Sequence, residues 1–99
     1  MKIGIDLDGT INASRESIEF FSILTNLLMA QNRVYILTNR EPGSEQEIAY
    51  ELDFLGIDYN QIVITADKAK YIKMCDNYHT KMFNTDSKLY FLTVNSYNN

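Results

Sequence analysis

Cysteine, proline, glycine and basic residues are all scarce in this 99-residue chain, which has one Cys, one Pro, four Gly and no Trp. A single thiol, Cys75, excludes an intrachain disulfide, and a reducing, cytoplasmic setting fits. So little Pro and Gly, with 45% hydrophobic residues, excludes a low-complexity or linker-like chain. Nine Lys and Arg against 13 Asp and Glu leave a formal charge of −4, which argues against broad binding to nucleic acid or to an anionic membrane, though not against a small basic pocket. No apolar run reaches the roughly 18 residues of a membrane span. The N-terminus reads as strand at once, with no basic region and apolar segment of a targeting signal. One domain over residues 1–99 is expected, large enough to bury about two-thirds of its unfolded surface.

What is present alternates. Ile3, Ile5 and Leu7 alternate with Gly4 and Asp6, so residues 2–6 read as a strand that ends in "DLDGT". "RESIEFFSILTNLLMAQN" has the length of a helix, with Ile18, Phe21, Leu24 and Leu28 on one face. Phe20, Ile23 and Leu27 are expected to widen that face, and Leu27, Leu28 and Met29 to be core. "RVYILT", 33–38, is a second strand. "NREPG" breaks the chain, and "SEQE" predicts a capping box of Ser44 and Glu47. Ile48, Leu52 and Leu55 then line a helix that Gly56 ends. "QIVIT", 61–65, is a third strand. "DKAKYIKMCDNY", 67–78, is a weaker helix with Ala69, Ile72 and Cys75 inward. "KMFN" and "KLYFLTV", 88–94, are two more strands. This order predicts a Rossmann-like α/β fold, a three-layer α/β/α arrangement around a mainly parallel sheet.

Ligands in such sheets gather beyond the carboxyl ends of the strands. There the first strand offers Asp6, Asp8, Gly9 and Thr10; the second Thr38, Asn39 and Arg40; the third Thr65, Asp67 and Lys68; the fourth Asn84, Thr85, Asp86 and Ser87. Acids, hydroxyls, amides and two cations on one edge suit a phosphate with a divalent cation. A carboxylate at a buried strand end also needs a partner, because burying a bare charge is costly.

At this point the chain resembles the haloacid dehalogenase-like (HAD) phosphohydrolases. Asp6-Leu7-Asp8-Gly9-Thr10 stands as their first motif, Thr38 after "VYIL" as the second, a Lys opening a helix as the third, and Asp86 in "FNTDS" as the fourth. "ILTNR" and the spacing look most like small bacterial and phage 5′-nucleotidases. The resemblance implies a minimal, uncapped core acting as a Mg²⁺-dependent phosphomonoesterase on a small phosphorylated substrate such as a nucleotide. It implies Asp6 as nucleophile through an aspartyl-phosphate, and Asp8 as the acid for the leaving alcohol and then the base for water. That second role wants an upward-shifted pKa in a crowded acidic site. It further implies Asp6, Asp8 (through its carbonyl) and Asp86 at the metal, and Gly9, Thr10, Thr38, Asn39, Arg40 and Lys68 toward phosphate and substrate. Lys68 competes with Lys70, and its place at the strand–helix junction favours it. Arg40 has the fork to grip a phosphate, and also reads as a surface loop residue.

Plainer readings stand beside these. Asp6 and Asp8 can be an acidic turn, Thr38 a strand residue and Asp86 a turn or cap residue. His79, in a polar turn with no second His nearby, reads as surface, and Cys75 as core. The chain is about one helix shorter than a usual family core before "LYFLTV", and the fourth motif shows one acid. A degenerate, non-catalytic relative that binds phosphate or a partner is therefore the alternative. A phosphoacceptor receiver domain would want its Asp after the third strand, where Thr65 stands. An uncapped site in so short a chain favours closure by a second copy, so a homo-oligomer is an expectation.

Overall fold

The computed structural model describes residues 1–73 and 89–93. Its sheet has four strands: β1 (Lys2–Asp6), β2 (Arg33–Thr38), β3 (Gln61–Ile64) and β4 (Leu89–Leu92). They lie in the order β3-β2-β1-β4, and every neighbouring pair is parallel. The chain steps outward from β1 through β2 to β3, then returns to the other side of β1. The reversal of order therefore falls beside β1, where open parallel sheets place their binding crevice. Register sets the edge: Asp6 is opposite Leu37, Thr38 is opposite Ile64, and Ile5 is opposite Leu92, so Thr93 follows beside Asp6.

Helix α1 (Arg15–Leu28) opens at Ser14, whose Oγ accepts the Ser17 N–H at 3.0 Å. It ends four residues earlier than its apolar pattern predicts. Asn32 folds back on the carbonyl of Leu28 through both its backbone and its side-chain N–H, which closes the helix with a turn. Phe21 and Thr25 are buried and Leu24 and Leu28 pack against the core, whereas Phe20, Ile23 and Leu27 are 58–67% exposed. The expected wide apolar face is thus a narrow one. The sheet beneath offers each helix only one stripe of contact, so apolar residues a third of a turn away stay in water.

Helix α2 (Glu45–Leu55) buries Ile48 and Leu52 completely, with Leu55 half-buried. The predicted capping box is not formed. Ser44 Oγ donates to the carbonyl of Glu41 at 2.6 Å, stabilising the preceding turn instead of the helix N-terminus. Gly56 ends α2 as expected, in the left-handed region with φ 74°. Its carbonyl accepts from Ser22 Oγ at 2.9 Å, and Asp58 N–H donates to Thr25 Oγ1 at 3.1 Å, so the end of α2 is tied to α1. A Cβ at position 56 would be strained and would lie 3.1 Å from Ser22 Oγ. Gly56→Ala is therefore expected to cost about 1–2 kcal/mol in a urea unfolding curve with unchanged slope.

Two apolar clusters cover the sheet. Ile3, Ile5, Val34 and Ile36 pack with α1 and α2 residues in one, and Leu37, Val63 and Leu89 pack with Tyr71 and Ile72 in the other. Strand alternation places these on opposite faces. Residues 68–73 are helical, so the described part of the weaker helix lies where Ile72 was expected to bury it. Cys75, His79, "KMFN" and Asp86 lie outside the described residues. Among the described residues, no helix is long and apolar enough to cross a membrane.

Candidate active site

Asp6 is the last residue of β1 and alternates with Ile5, so its side chain leaves the sheet on the face that carries residues 68–73. It is buried, with 4% of its surface exposed. Its Oδ2 accepts from Thr10 Oγ1 at 3.2 Å and from Thr93 Oγ1 at 3.0 Å. Its Oδ1 is buried, receives no hydrogen bond of good geometry among the described residues, and is met by the Lys68 ammonium at 2.7 Å. Lys68 reaches it because it is the first helical residue after β3, and it supplies the counter-charge that a strand-end carboxylate requires. Lys70 is exposed, and its backbone N–H is held by Asp67 Oδ1. Lys68 is the lysine brought to Asp6.

Between Asp6 and α1 the chain makes a tight loop, Leu7–Ile11, closed by Asn12 N–H on the carbonyl of Leu7. Gly9 turns it with φ 78°, a conformation that side-chain-bearing residues rarely adopt, and donates its N–H to Asn12 Oδ1 at 2.8 Å. Leu7, Thr10 and Ile11 are buried, which holds the loop against the core and turns Asp8 toward β2.

Asp8 is held from three sides. Thr38 Oγ1 donates to Oδ2 at 2.9 Å, Asn12 Nδ2 donates to Oδ1 at 3.2 Å, and Arg40 approaches with Nη2 at 2.7 Å from Oδ1 and Nε at 3.1 Å from Oδ2. Arg40 above all keeps the Asp8 carboxyl below its ordinary pKa, helped by Thr38 and Asn12 and opposed by partial burial. The expected upward shift is not what this arrangement produces. A crowded acidic site raises a pKa only where no cation answers the acids, and here Arg40 and Lys68 answer both.

Arg40 is likewise not a free substrate grip. Nη1 and Nη2 also bind the two carboxylate oxygens of Glu51, Nη2 at 3.2 Å. The two acids hold the guanidinium well above its usual pKa. Thr38 is fully buried, and its hydroxyl also accepts the Arg40 N–H at 3.3 Å. Asn39 is exposed.

A depressed folded-state pKa gives Asp8 a stabilising share that is complete above the unfolded value and is lost as pH falls through the folded one. The stability gap between wild type and Arg40→Ala, on the order of 1 kcal/mol or less for so exposed a pair, is thus expected to be full at pH 7. It should narrow below about pH 4. Urea unfolding at both pH values measures it.

The structure brings the site residues to the edge in two sets of contacts, Asp6 with Thr10, Thr93 and Lys68, and Asp8 with Thr38 and Arg40, with Gly9 shaping the loop. Three members of the site, Asn12, Thr93 and Glu51, are not among the residues that the sequence points to. Thr93 follows β4 in "FLT" as Thr38 ends β2 in "ILT", and that shared position was the available signal. Glu51 had none, being one of several acids on α2.

Among the described residues, no three acidic, His or Cys side chains converge. Oxygen donors are nonetheless present. A buried carboxylate oxygen without a hydrogen bond suits a hard cation that needs one or two carboxylates and keeps its waters. Asp6 fits that part; the Asp8 carboxylate, already taken by three donor residues, does not, although its carbonyl remains an oxygen donor.

No family model, curated protein or solved structure matches this chain.

Proposed function

We propose that this edge is the active site of a phosphomonoesterase of the haloacid dehalogenase-like kind, a minimal uncapped three-layer core. It would act on a small phosphate ester such as a nucleotide through an aspartyl-phosphate on Asp6. The observation that carries the reading is the Asp6 carboxylate: buried at the switch point, fixed through Oδ2 by two hydroxyls, and with Oδ1 met by the Lys68 ammonium.

The residues divide the work. Asp6 needs no base, since an aspartate is ionised at neutral pH. Thr10 and Thr93 hold Oδ2 so that Oδ1 is the attacking atom. Lys68 shifts from Oδ1 to the phosphoryl oxygens as the ester enters, keeping positive charge where the transition state spreads negative charge. Oδ1 forms the bond to phosphorus as the ester oxygen leaves. Thr38 offers its hydroxyl to a phosphoryl oxygen once it releases Asp8. A Mg²⁺ held by Asp6 and the Asp8 carbonyl would offset the repulsion between carboxylate and phosphate dianion. Asp86, the remaining expected ligand, lies outside the described residues.

An ionised Asp8 is ready to act as the base that takes a proton from water as that water attacks the aspartyl-phosphate. It is less ready to protonate a leaving group. Aryl phosphates, whose leaving group departs without a proton, are therefore expected to turn over faster than alkyl phosphates.

The alternative, a non-catalytic phosphate- or partner-binding relative, is favoured by one observation: both acids already have cations. Phosphate release from a panel of nucleoside monophosphates and an aryl phosphate, with Mg²⁺ and with chelator, decides between them. Metal-dependent release supports the enzyme. No release from a folded, Mg²⁺-saturated protein supports the binding protein.

A further inference from the structure

We propose that Glu51 is a positioning residue that holds the Arg40 guanidinium on Asp8 and away from the phosphate, and so sets how tightly the site binds phosphate. The inference rests on reading this edge as a phosphate site.

The guanidinium has five N–H donors in a fixed plane. Nε is directed at Asp8, Nη2 at both Asp8 and Glu51, and Nη1 at Glu51. Four of the five are thereby committed, and a phosphate cannot take a two-point grip until one carboxylate lets go. Both carboxylates stand on anchored backbone: the Asp8 loop is held by the buried Leu7, Thr10 and Ile11, and Glu51 stands on α2, which is held by the fully buried Ile48 and Leu52. Arg40 bridges the two, and Glu51 holds the end that faces away from Thr38.

Arg40 nonetheless has only a short way to go. Its backbone N–H binds Thr38 Oγ1, the hydroxyl that Asp8 accepts, so the guanidinium lies one side chain from that hydroxyl. Removing the Glu51 carboxylate loosens the hold on the two donors of Arg40 that it accepts, from Nη1 and Nη2.

Calorimetric titration of the full chain with inorganic phosphate, in Mg²⁺, tests this. Glu51→Gln is expected to tighten the phosphate Kd about tenfold, the scale of one charge-assisted hydrogen bond gained. Glu51→Ala, a change to a good helix former, should do the same. Glu47→Gln, one turn earlier on α2, removes an exposed charge and should shift Kd by less than about twofold, as expected of a charge screened by solvent. Arg40→Ala and Arg40→Ala/Glu51→Gln should bind phosphate alike, because the effect of Glu51 passes through Arg40. In turnover, Glu51→Gln should lower KM without raising kcat, a split that a merely structural role would not produce.

Wild-type or weaker phosphate affinity in both Glu51 variants overturns the inference, and so does a tightening that survives the loss of Arg40. If wild type hydrolyses an ester, Asp6→Asn does not, and the Glu51 variants bind phosphate as wild type does, only the role of Glu51 falls. If no variant binds phosphate, the phosphatase reading falls with it.

Discussion

Asp6→Asn is expected to lower metal-dependent phosphate release by about four orders of magnitude or more, the scale on which loss of a nucleophile acts. Asparagine has nearly the shape of aspartate and keeps an oxygen for the Thr10 and Thr93 hydroxyls, which now meet Oδ2 at 3.2 and 3.0 Å. Those two contacts should therefore be kept. The Lys68 ammonium loses its counter-charge, however, and the protein should lose stability as it does in Lys68→Met. A native circular dichroism spectrum under the assay conditions is the control. The amide cannot form an aspartyl-phosphate, and it removes the carboxylate charge that a divalent cation would use. Rate and metal dependence should fall together. Turnover at the wild-type rate in folded Asp6→Asn would remove Asp6 from the chemistry and leave the acidic pair as a structural turn.

The largest stability effect is expected at Lys68. Its ammonium is 2.7 Å from Asp6 Oδ1, with 17% of the lysine side chain and 5% of the aspartate side chain exposed. Lys68→Met keeps the unbranched stem of the side chain and deletes the charge, leaving a buried carboxylate with, among the described residues, its two hydroxyl donors. Breaking a buried pair from one side costs about 3–5 kcal/mol, whereas replacing both partners is often close to neutral. Urea unfolding should show a loss of that size for Lys68→Met and recovery of most of it in Asp6→Asn/Lys68→Met. Lys70→Met, at an exposed position, should stay within about 0.5 kcal/mol of wild type. A Lys68→Met protein as stable as wild type would mean that the carboxylate is compensated by something other than this ammonium. Its turnover should also fall by about 10²–10³, as when one donor to a transition state is removed.

Local periodicity carried the elements. The alternation of Ile3, Gly4, Ile5 and Asp6 announced β1 and put Asp6 at its end, and Gly56 marked the end of α2. These properties depend on neighbours within a few residues, which is the range that strand and helix geometry reads. The same local logic misread Ser44. A capping box and a turn both use a serine hydroxyl, and the carbonyl of Glu41 took it. It also overstated the apolar face of α1, because the width of the sheet beneath, and not the helix, decides whether Phe20, Ile23 and Leu27 are covered.

The sequence by itself determined an alternating α/β chain with a parallel sheet, and the residue types at the carboxyl edge of its strands. Only the tertiary structure decided who meets whom there. Lys68, and not Lys70, reaches Asp6; Arg40 is half-buried and held by Asp8 and Glu51; Thr93 arrives beside Asp6 from 87 residues away. The reason is physical. A hydrogen bond or ion pair is decided by a few tenths of a nanometre between atoms that strand order and register bring together. Neither of these is written in the spacing of residues along the chain.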